Sequence, residues 1–121
     1  MRKGGVLAAQ CGGSGNIASV RAVVSDIGDG WMGPWFFATP EETRARLLAC
    51  AFTDVRTWPT EDPVRFDSSS ELERFLATVI LGPHLQRLPP EGRDAFVKQV
   101  AARIPNRTID YVRLNIVATL A

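Results

Sequence analysis

Gly5-Val6-Leu7-Ala8-Ala9 is apolar at successive rather than alternate positions, and Gln10 ends the run. A strand of that pattern suits the interior of a parallel α/β sheet, where both faces are covered. It therefore implies neighbouring elements that the 121 residues do not supply. The spacing then changes. Ile17, Val20, Val24 and Ile27 recur at helical intervals and predict a helix over about 17–27 with one apolar stripe. Gly28, Gly30, Gly33 and Pro34 interrupt it, and Trp31, Trp35, Phe36 and Phe37 crowd into the break.

The next helix carries its own start signal. Thr39 is a good N-cap, Pro40 suits the first helical position, and Glu42 completes a capping box. Leu47, Leu48 and Ala51 are expected to face inward. Residues 54–58 read as a short strand ended by Pro59. Residues 60–107 then read as an inserted helical cap. Ser68 with Glu71, or Ser70 with Glu73, opens a helix whose apolar side is Leu72, Phe75, Leu76 and Val79. Gly82-Pro83 stops it. Pro89-Pro90-Glu91 starts another, with Phe96, Val97 and Val100 apolar, and Pro105 ends that one. From Ile109 to Leu120 the pattern alternates cleanly, placing Val112, Leu114, Ile116 and Ala118 on one face of a final strand. The order is β-α-α-β-αα-β in a single domain, 1–121.

Charge adds only exclusions. Fourteen Lys and Arg against 13 Asp and Glu leave a net charge of +1, which gives no reason to expect nucleic acid or an anionic membrane as partner. No apolar run approaches the roughly 20 residues of a membrane helix. Cys11 and Cys50 have no metal-ligand spacing and are expected to be reduced thiols in a cytoplasmic protein.

Gly13-Ser14-Gly15-Asn16-Ile17-Ala18 matches G-x-G-x-x-A between a strand and a helix, the pattern that cradles a pyrophosphate. A second strand ending in an acid should follow about 20 residues on. That region is the Trp31–Trp35 break, so a plain turn is the expected reading.

Taken together, several segments resemble class I S-adenosylmethionine-dependent methyltransferases, in particular the trans-aconitate methyltransferase-like group. Residues 4–13, Gly-Gly-Val-Leu-Ala-Ala-Gln-Cys-Gly-Gly, resemble that family's fifth strand. Residues 37–42 and 47–52 look like the helix after it. Pro63-Val64-Arg65-Phe66 and Leu81-Gly82-Pro83-His84-Leu85 look like its inserted cap, and residues 110–117 like its final strand. The resemblance implies an α/β fold: the C-terminal half of a Rossmann-like sheet, three strands with the last antiparallel, and a helical cap. It implies in-line methyl transfer to a small molecule, with a carboxylic acid as one candidate.

The departures matter as much. The family holds S-adenosylmethionine mainly with elements before the fifth strand, so this chain alone is expected not to bind it. Lys3 stands where the family usually has proline. Ala51 replaces a usual glycine, at a position that often needs left-handed backbone and penalises a Cβ by roughly 1 kcal/mol. An open first strand is also a template for a homodimer, so a self-associating α/β interaction module without catalytic activity is the competing reading.

In open α/β sheets, ligands sit beyond the carboxyl ends of the parallel strands. That rule gives Gln10 and Asn16 as candidate substrate contacts, the start of the antiparallel final strand gives Tyr111 and Arg113, and Trp31 and Trp35 would wall the pocket over that rim. Arg113 would pair with a substrate carboxylate or with a neighbouring acid. His84, the only histidine, is a minor candidate for a general base.

Overall fold

The computed structural model describes every residue, Met1–Ala121. The strands are β1 (Val6–Gly12), β2 (Phe52–Glu61), β3 (Val64–Arg65), β4 (Thr108–Ile109) and β5 (Val112–Leu120). The helices are α1 (Ala18–Ser25), α2 (Pro40–Ala49), α3 (Ser69–Phe75), α4 (Gly82–Gln86) and α5 (Pro90–Arg103), with a π-helical turn at Leu76–Ile80 and a 3₁₀ turn at Pro105–Arg107. The chain is a mixed α/β protein, and none of its helices is long and apolar enough to cross a membrane. It divides into a sheet unit (1–16, 36–62, 111–121) and a helical unit (17–35, 63–110).

In the sheet unit β5 lies between β1 and β2 and runs antiparallel to both, so β1 and β2 point the same way. The alternation expected for β5 is present: Leu114 and Ala118 are buried on one face. The first strand is open along one edge, as expected. It is an edge strand paired on one side only, and Val6 is 65% exposed, so its apolar run is not covered on both faces. The second strand is longer than residues 54–58 and carries Pro59 within it. An edge strand tolerates that proline because its missing N–H need not be a ladder bond.

Helix α2 opens on the expected box. Thr39 Oγ1 accepts from Glu42 N at 3.1 Å, and Glu42 Oε1 accepts from Thr39 N at 3.2 Å. Its inward face is not as expected: Leu48 is 43% exposed, and Ala51 is exposed too. Ala51 does adopt the left-handed backbone, at φ 67°.

The helical unit has the apolar core. Ile17, Val20, Val24 and Ile27 are all buried, as their spacing requires. Ser68, not Ser70, caps α3 by accepting from Glu71 N at 3.2 Å. The π turn then widens the winding. The buried stripe becomes Leu72, Leu76 and Ile80, and Val79 turns out to solvent at 58% exposure. Gly82-Pro83 does not end helical structure; these residues open α4, the short helix that carries His84. The final strand is interrupted at Asp110-Tyr111, because Thr108 and Ile109 pair instead with Arg65 and Val64 in a separate two-stranded sheet.

Candidate functional site

The densest chemistry lies in the helical unit, around His84. The ring is 6% exposed and sits against Trp31, Trp35 and Phe96, with centroids 4.8, 5.8 and 5.9 Å away. Its Nε2 lies 2.9 Å from the Trp31 carbonyl oxygen. A carbonyl can only accept, so Nε2 carries the proton and Nδ1 presents its lone pair in the neutral ring. Nδ1 is buried and has no hydrogen-bond partner in the protein. Gly33 lets the chain turn here, because the Trp35 ring occupies the place a Cβ would take.

Trp31 is fixed at three points. His84 holds its carbonyl, Asp29 Oδ1 accepts its N–H at 3.0 Å, and the Arg87 guanidinium lies 4.0 Å over its ring. Arg87 also pairs with Asp29 at 2.6 Å. The Trp31 N–H first, and then Arg87, hold the Asp29 carboxyl below its ordinary range. Beneath these groups is a cavity of about 160 Å³ with Val24, Ile27, Leu88 and Phe96 in its lining. Asp29 and Arg87 give it one polar edge.

In the sheet unit Gln10, Asn115, Trp58 and Thr60 form a polar ladder across three strands. Gln10 Nε2 donates to Asn115 Oδ1 at 2.9 Å, and Asn115 Nδ2 donates to Trp58 O at 3.1 Å and Thr60 Oγ1 at 2.8 Å. Arg113 lies 3.5 Å from Asp62 and 4.4 Å over the Tyr111 ring. Burial raises the Tyr111 pKa above its ordinary value, against the opposing pull of Arg113. Asn16 is 6% exposed, and its Oδ1 accepts the Val112 N–H at 2.7 Å. Gly12 permits this, since a Cβ there would meet Asn16 Nδ2 at 2.8 Å.

The six residues named from sequence are divided between the two units. Gln10, Asn16, Tyr111 and Arg113 belong to the sheet unit, with Asn16 holding backbone and Arg113 beside an acid of its own. Trp31 and Trp35 belong to the helical unit and pack on His84. Asp29 and Arg87 went unnoticed. The Asp29-Gly30-Trp31 turn gave a weak local signal, but nothing in sequence joins it to Arg87.

The Gly13–Ala18 turn spends its backbone N–H groups largely within the protein. Gly13 N donates to Val112 O, Ser14 N to Ala38 O and Asn16 N to Gly13 O. At the start of α1, Ile17 N donates to Asp110 O, and Ser19 N donates to the Asp110 carboxylate at 3.0 Å. No model of a known protein family matches the chain. No curated protein matches it in sequence.

Proposed function

We propose that the chain is the substrate-side portion of an S-adenosylmethionine-dependent methyltransferase that acts on a small molecule. The cofactor would be held by a part of the enzyme outside these residues. The strand arrangement carries the reading: the last strand, β5, runs antiparallel to β1, and a helical segment separates it in sequence from β2. A helical insertion followed by a final antiparallel strand is what the resemblance implies. The free edge of β1 supports the rest of it, because an open row of backbone N–H and C=O groups is a place for a further strand. The cavity beside His84 is the candidate acceptor pocket.

Reading the coding DNA immediately upstream tests this directly. An in-frame glycine-rich strand–loop–helix supports the proposal, and unrelated or untranslatable sequence removes it.

The same free edge favours a second reading, a self-associating module in which β1 pairs with β1 of another copy. Light scattering after size-exclusion chromatography separates the two. A concentration-dependent dimer weakened by Ala8→Lys favours the module, and a monomer throughout the accessible range removes it.

A further inference from the structure

The cavity in the helical unit has a definite size and polarity. At about 160 Å³ it is close to the apolar cavity of about 150 Å³ known in another protein to take one benzene ring. Val24, Ile27, Leu88 and Phe96 give it apolar walls. Its polar side chains are few: Asp29, His84 and Arg87. Arg87 is the only cation in the lining, and Asp29 already pairs with it at 2.6 Å. No positive charge is left to neutralise an incoming carboxylate. The Asp29 carboxylate would also repel one. The Asp29 carboxylate can accept a hydrogen bond, and a carboxylate ligand has none to donate. A neutral hydroxyl can donate, and it can also accept from Arg87.

We propose that this cavity binds a single six-membered aromatic ring bearing a neutral hydroxyl, a phenol-type ligand. As the identity of the methyl acceptor, this rests on the function proposed above. As a binding site it stands on the cavity alone. Trp31, held by His84, Asp29 and Arg87, gives the ring a preorganised wall, so little ordering is needed on binding.

The test is calorimetric titration of the 121-residue chain with phenol, toluene and benzoate, without cofactor. Phenol is expected to saturate at one per chain, toluene to bind about threefold more weakly, and benzoate about tenfold more weakly. Asp29→Asn should narrow the gap between phenol and benzoate by freeing the charge of Arg87. Leu88→Trp should fill the cavity and abolish phenol binding while the melting transition remains cooperative. Should that variant fail to fold, indole N–H resonances of the unsubstituted chain replace it: phenol should shift Trp31 and leave Trp58 unmoved. Absence of saturable phenol binding overturns the proposal, as does benzoate binding as tightly as phenol. Phenol binding that survives in a folded Leu88→Trp chain, or that shifts Trp58 alone, overturns it too. None of these readouts involves methyl transfer, so failure of the methyltransferase reading would leave them interpretable.

Discussion

Asp110 caps helix α1 through Ser19, across 91 residues of sequence. Its carboxylate accepts from Ser19 N at 3.0 Å and from Ser19 Oγ at 2.8 Å. Residue Ile17, at the N-cap position, has no side-chain hydrogen bond to offer, so the cap comes from the far end of the helical unit. The negative charge also sits where the helix dipole favours it. This is why a G-x-G-x-x-A pattern can precede a helix without making a phosphate site: the helix start already has its anion.

Asp110→Ala should therefore destabilise the fold by about 1–2 kcal/mol, as loss of a cap does, and Asp110→Asn by less. Urea denaturation followed by circular dichroism measures both. An unchanged midpoint for the alanine variant would show that the contact contributes nothing.

Asn16 and Gln10, both named from sequence as substrate contacts, should behave differently. Asn16→Ala leaves the Val112 N–H unpaired beside a buried position and should cost about 1–3 kcal/mol of stability. Gln10→Ala, on an exposed strand, should change stability by less than about 0.5 kcal/mol. Equal effects in thermal melts would contradict this assignment of Asn16 to the backbone.

The local features are the ones the sequence makes legible. The stripe Ile17, Val20, Val24 and Ile27 and the Thr39–Glu42 box each lie within a few helical turns, so short-range spacing suffices to find them. What escapes is set by distant partners or by irregular winding. The π turn at Leu76–Ile80 has no residue signature, so Val79 reads as buried when it is exposed. Burial of Leu48 depends on what covers α2, which its own pattern does not encode. His84 stands out as the only histidine, yet its surroundings do not. Asp29 and Arg87 meet across 58 residues, and only the folded chain brings them to one cavity edge.

Ala51 offers a stabilising change. Its left-handed backbone, at φ 67°, strains a Cβ that glycine lacks. Ala51→Gly should gain about 0.5–1 kcal/mol, net of the extra unfolded-state freedom of glycine. Differential scanning calorimetry should record a higher midpoint; a lower one would contradict the strain.

Acid should weaken the start of α2. The Thr39 backbone N–H first, then its hydroxyl and Arg46, hold the Glu42 carboxyl below its ordinary value. The folded pKa lies under the unfolded one, so the contribution is present above the usual carboxylate range. It is lost as pH falls through the folded value, below the ordinary glutamate range. Glu42→Gln should remove that part of the acid dependence, and parallel acid titrations of the two proteins should diverge only above that range. Identical curves would contradict it.

The most direct measurement is a calorimetric titration with S-adenosylmethionine of residues 1–121 beside the same chain extended by the coding sequence that precedes Met1. The expected result is one cofactor per chain for the extended protein and none for residues 1–121. Saturable binding to residues 1–121 alone, or none to the extended protein, would contradict a substrate-side portion whose cofactor site lies elsewhere.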